Sequence, residues 1–161
     1  MGREIVNQLE LEFGRLIVSL KELVSSVSPD LLYRTPPAVS IGESILRSAA
    51  KVEQTCGGLT ANLWDDPFEW TLPETLSSAD RIIEYLTEVE GALRRAFSAI
   101  ADDTDLSKLV SVPSGEPVRL VSLLLETLVA AADHRGRALA AEESLRRVQS
   151  SSFSLPPETT A

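Results

Sequence analysis

One imidazole and one thiol are all that this chain of 161 residues offers for soft-metal or nucleophilic chemistry. His134 stands in Asp133-His134-Arg135-Gly136-Arg137, late in the longest apolar helical pattern; Cys56 lies on the apolar stripe of an earlier one. An imidazole near pH 7 can exchange a proton or bind a metal. A Cys-His nucleophile requires contact between the two side chains, and a small thiol on an apolar stripe is expected to be buried and inert. Carboxylates near His134 are few. Glu126 shares its helical face but lies eight residues away, about 12 Å along the axis, too far for one ion bound at roughly 2 Å from each ligand. Asp133 is turned about 100° around the helix. Glu53, on another helix, is the carboxylate left to act with His134 as an acid-base group.

Other chemistries are excluded by spacing. No phosphate-cradling glycine loop, Gly-x-Ser-x-Gly elbow or His-Glu-x-x-His segment occurs. A ferritin-like two-metal bundle wants Glu-x-x-His on two helices, and here Ala131 precedes the histidine at that spacing. Arg135, Arg137, Arg146 and Arg147 could hold an anion, but pairing with Glu142 and Glu143 on a solvated helix face is the simpler expectation. Trp64 and Trp70 flank an acidic turn and are expected to pack at the end of the fold rather than to form a lid. Gly136 reads as a point of close approach for a neighbouring helix.

The elements that must position these residues are four helical patterns, with no convincing period-two alternation. The first runs from about Gly2 to Val27 with Ile5, Leu9, Phe13, Leu16, Leu20, Leu23 and Val27 as its stripe, and Ser28-Pro29-Asp30 ends it. Thr35-Pro36-Pro37 makes a rigid connector. Ser40-Ile41-Gly42-Glu43 reads as a capping box opening the second helix. That helix continues to about Trp64 with Ile41, Ile45, Val52, Cys56, Leu59 and Leu63 inward, until Asp65-Asp66-Pro67 stops it. Gly57-Gly58 weakens it by about 1 kcal/mol per glycine, which implies a kink or close backbone packing.

The third helix opens at Ser77 or Ser78, carries Ile82, Leu86, Val89, Leu93, Phe97 and Ile100, and ends near Asp102-Asp103. The fourth opens near Glu116-Pro117 and runs to about Arg147 through Leu120, Leu124, Leu128, Ala131 and Leu139. Together these predict an all-α four-helix bundle over residues 1–148 with a flexible tail over 149–161. Its connections are longer than usual helix-helix loops, so at least one crosses the bundle.

Composition sets the partners. Hydrophobic residues make up 43% and charged ones 24% of the chain, as in an ordinary globular domain. With a net charge of −9, the surface repels phosphate backbones and anionic membranes, so neither nucleic acid nor a membrane is expected as a partner. The most apolar stretch, Leu120 to Ala132, is broken by Ser122 and Glu126 and is short of the roughly 20 residues a membrane span needs. The amino-terminal residues lack a signal-peptide pattern, and one cysteine permits no intrachain disulfide. A cytoplasmic location is therefore the expectation.

His134-Arg135-Gly136 followed by an apolar turn resembles the His-Arg-Gly signature that ends the metal-site helix of DinB-like (YfiT-like) proteins. Ser28-Pro29-Asp30-Leu31-Leu32 resembles that family's first connector. Ser40-Ile41-Gly42-Glu43 with Glu53 resembles its second-helix opening, and Asp105-Leu106 its short element after helix three. The resemblance spans roughly residues 5 to 145 and rests on order and spacing. It implies a four-helix bundle, commonly dimeric, whose members hold a divalent metal, often nickel or zinc, with three histidines and act as thiol-dependent transferases, isomerases or hydrolases.

One family ligand lies on the second helix, and two lie four residues apart on the last, a step that puts both on one face. His134 matches the last of these. The position four residues before it is Ala130, and the second-helix position is Ser48. Alanine offers no lone pair and a serine hydroxyl is a poor ligand, so the resemblance implies a vestigial site at Ser48, Ala130 and His134, with no cofactor. The expectation is a homodimeric, non-catalytic binder of an unknown small molecule, or a scaffold. The alternative is a metal- or thiol-dependent transferase or hydrolase that uses His134 with substitute ligands, Glu53 first among them. A third is a regulatory module binding a partner through its acidic face.

Overall fold

A computed structural model describes residues 2–35, 39–67 and 73–153. Four long helices build it: α1 (Glu4–Ser26), α2 (Ile41–Ala61), α3 (Ala79–Ser98) and α4 (Leu120–Ser152). Single 3-10 turns lie at Pro29–Leu31 and Asp103–Ser107, and a two-stranded antiparallel ladder pairs β1 (Leu109–Val110) with β2 (Val118–Arg119). Among the described residues the fold is all-α apart from this ribbon. Pro36 and Pro37 of the expected connector, Trp70, and residues 154–161 of the expected tail lie outside the described residues.

Of the consecutive helix pairs only α2 and α3 are packed neighbours in the bundle. α1 packs on α3 and α4, α2 packs on the same two, and consecutive α1 and α2 sit across a diagonal. Directions follow from cross-helix contacts. Arg3, ahead of α1, donates from Nη2 to the Phe97 carbonyl (2.7 Å) and from Nε to that of Ile100 (3.2 Å), covering the exposed carbonyl end of α3. Asp103 returns the favour by accepting from the amides of Ile5 (3.2 Å) and Val6 (3.0 Å) at the start of α1. Lys21 and Glu90 (2.8 Å) continue the antiparallel pairing of α1 with α3. A cleft brings Ser26 and Val27 at the end of α1, Ile41 at the start of α2 and Leu145 near the end of α4 to the same end. α1 and α4 therefore run one way, and α2 and α3 the other. The chain leaves α2 at one end and re-enters at α3 at the other, as a crossing connection demands.

Burial corrects several details of the expected stripes. Val6 is buried and Ile5 is 56% exposed, so the core register of α1 starts one residue later. Leu63 and Leu139 face solvent, and Ala138 takes the core position on α4. α2 stops at Ala61, because Asn62 adopts a left-handed conformation (φ 54°) and its amide bonds back to Gly57 and Gly58. The aspartates and Pro67 come later. Ser40 caps α2 by accepting from Glu43 N (3.1 Å), but the Glu43 carboxylate pairs with Arg47 rather than reaching back. Ser78 caps α3 as expected. Glu116-Pro117 does not open α4; both precede β2, and the helix begins at Leu120. At its other end α4 continues through residues 149–152, which were expected to be tail. Phe13 of α1 and Phe97 of α3 meet in the core with ring centroids 5.7 Å apart.

Candidate functional site

The seam between α2 and α4 is made of small and hydroxylated residues, and this sets its chemistry. Ser48, wholly buried, donates its hydroxyl to the Ala131 carbonyl (2.7 Å). One turn back along α4, the Thr55 and Thr127 hydroxyls lie 2.6 Å apart. Thr127 Oγ1 also donates to the Leu123 carbonyl (2.8 Å), so its single proton is committed and Thr55 must be the donor between the two. Thr55 Oγ1 thus keeps acceptor capacity. Replacing Thr127 with valine strands the Thr55 hydroxyl, and chemical denaturation is expected to show a loss of about 1–3 kcal/mol. The Thr55→Val/Thr127→Val double variant is expected to recover most of it, because both partners are then apolar. A double variant weaker than the single one would show that the pair does not act this way.

Above these threonines opens a cavity of about 520 Å³, within the range of small-molecule sites. Lys51, Gln54 and Thr55 come from α2, and Leu123, Glu126, Thr127 and Ala130 from α4. Val112, Pro113 and Ser114 of the ribbon loop, together with Val118, form an apolar wall, and Trp64 closes the end. Gly115 supports that loop at φ 135°, a backbone conformation that side chains rarely permit.

The indole of Trp64 lies flat on Gly58, where an added Cβ would meet its ring atoms at 2.3–2.4 Å. Its backbone carbonyl accepts from Gln54 Nε2 (2.8 Å) and its Nε1 donates to Asn62 Oδ1 (2.9 Å). The Gly57-Gly58 pair therefore serves close packing and the helix stop.

The residues singled out in the sequence fall into separate surroundings. Ala130 lines the cavity. His134, one turn on, is partly buried; burial, then the charge of Arg137, holds its pKa below the usual value, with Arg47 and Lys51 adding to this and Asp133 opposing it. Ser48 points into the seam at Ala131.

Glu53 stands about 200° around α2 from Lys51 and accepts a hydrogen bond from Tyr85 of α3. Glu53 and His134 are therefore not brought together. Cys56 is buried, and its thiol is pushed up to about 12 by burial and the nearby Glu53, with Arg95 opposing. Such a thiol is not a ready nucleophile.

Arg137, Arg146 and Arg147 pair with Asp133, Glu142 and Glu143 along the surface of α4, as the solvated-face reading expects. Arg135 departs from it, with a buried Nε that has no partner among the described residues. Gly136 faces open space, and no helix among the described residues approaches it closely.

A divalent metal does not fit the positions the family resemblance singles out. Ala130 has no donor atom and the Ser48 hydroxyl is committed to a carbonyl, so His134 is left without either of the other two ligands. Among the described residues no group of three or more His, Cys, Asp or Glu could hold a metal ion. No described helix is long and apolar enough to cross a membrane.

Sequence reasoning missed the cavity's two charged residues, Lys51 and Glu126, as a pair. Lys51 carries no signal in the sequence, and the spacing of Glu126 from His134 speaks only to metal binding. The chain matches no protein-family model and no curated protein.

Proposed function

We propose that this chain is a DinB-like bundle that has given up its metal and works as a non-catalytic binder of a small molecule. The observation that carries this reading is the cavity between α2 and α4. It is lined by Ala130, one of the positions the family resemblance singles out for metal, and His134 lies one turn further along α4. The four-helix bundle and the His-Arg-Gly segment on α4 support this reading. The enzymatic alternative has less to stand on, because Glu53 is engaged by Tyr85 on the α3 side of α2. A cytoplasmic homodimer completes the proposal. Exposed Leu125, Val129 and Leu139 along α4 are apolar surface that a second copy would cover, and light scattering should report about twice 17.5 kDa.

Two measurements test the reading. With nickel or zinc added, the melting temperature is expected to stay unchanged; a rise of several degrees would count against it, because a ligand specific to the native state raises apparent stability. A mixed fragment set observed by protein NMR is expected to move the amides of Thr55, Thr127 and Ala130. No shift there from any fragment removes the binding reading.

A further inference from the structure

Two charged side chains of opposite sign line the α2–α4 cavity, Lys51 and Glu126. Among the described residues neither has an ion-pair or hydrogen-bond partner. They do not reach each other, since no pair between them falls within the 4.0 Å of an ion pair. The register explains why. Thr55 lies opposite Thr127 and Ser48 opposite Ala131, so Lys51 comes level with the stretch just before Ala130. Glu126 then sits about 5 Å further along the axis. The gap leaves one cation and one anion staggered across an opening of about 520 Å³.

Around them the wall is largely apolar: Trp64, Val112, Pro113, Val118 and Leu123. Other charges nearby are already matched, Arg47 by Glu43 and Arg137 by Asp133. A ligand with a single charge would satisfy one of the pair and meet the other as a like charge or as an unpaired one, at a cost in affinity. A ligand carrying both charges satisfies both.

Resting on the small-molecule reading above, we propose that the cavity takes a small zwitterion with an apolar body, of the α-amino-acid class. Its carboxylate pairs with Lys51, the one cation that lines the cavity among the described residues. Its ammonium pairs with Glu126, and Thr55 Oγ1 offers a further acceptor beside it. The side chain lies against the Trp64 indole and the ribbon loop.

Titration of the full chain with three probes, followed by NMR at Thr55, Thr127 and Ala130, tests this. L-Phenylalanine is expected to bind at least about tenfold more tightly than 3-phenylpropanoate, which lacks the ammonium, or phenethylamine, which lacks the carboxylate. Lys51→Glu and Glu126→Lys should each weaken phenylalanine by about tenfold or more, and the double variant should bind better than either, because the charges are then exchanged. Both side chains are on the cavity rim, so circular dichroism should find all three variants folded. Equal binding of either single-charge probe overturns the zwitterion assignment while leaving the binding reading intact. Failure of all three probes to bind, or a double variant no better than the singles, also overturns it. The binding reading itself falls only if the fragment set leaves the cavity silent.

Discussion

Phe97→Ala is expected to lower stability by about 3–5 kcal/mol, and to bring the melting temperature down by about 6–20 °C at the 2–4 °C per kcal/mol typical of this chain length. Phe97 is almost wholly buried in α3, with its ring 5.7 Å from that of Phe13 on α1 at an interplanar angle of 57°. Truncation removes the tilted aromatic pair, whose worth beyond area burial is about 0.5–1.5 kcal/mol, and leaves a void that its neighbours fill only in part. Thermal unfolding followed by circular dichroism measures the effect. A fall under about 1 kcal/mol would mean that the α1–α3 interface is not packed as described.

Gly58→Ala is the sharper test of the cavity. In a solvent-facing helix the change would stabilise by about 1 kcal/mol. Here the new methyl would sit 2.3 Å from the Trp64 ring, so the indole must leave its place. Overpacking of this kind costs about 1–3 kcal/mol and outweighs the propensity gain, giving a net loss of up to about 2 kcal/mol. The larger consequence is local. Trp64 is anchored by Gln54 and Asn62, and moving its ring opens the end of the cavity. A red shift of tryptophan emission is expected, together with weakened phenylalanine binding. Unchanged emission and a gain in stability would show that the indole does not lie on α2.

Particular residues show what could be seen in advance. Ser40 and Ser78 marked two helix starts correctly, because a hydroxyl before an apolar stripe meets a local need of the backbone. The end of α2 was placed too late. Asp65-Asp66-Pro67 is the conspicuous breaker in the sequence, but Asn62 in a left-handed turn closes the helix before it. Pro117 misled in the same way at the start of α4, where a proline suited to a first turn lies instead ahead of a two-residue strand. Val110, Val112 and Val118 around Pro113-Ser114-Gly115 were the available signal for that ribbon, too short for a periodic pattern to register.

The sequence by itself determined that four amphipathic helices form and that one histidine cannot assemble a three-imidazole site. These depend on spacing within a helix and on counting, and neither requires knowing which helices meet. Only the tertiary structure decided that α2 lies against α4, that Glu53 faces Tyr85 and Lys51 faces the cavity, and that Trp64 folds back onto Gly58. The physical reason is that a helix fixes the angle between its own side chains, whereas the register and partner of each face depend on how whole helices pack.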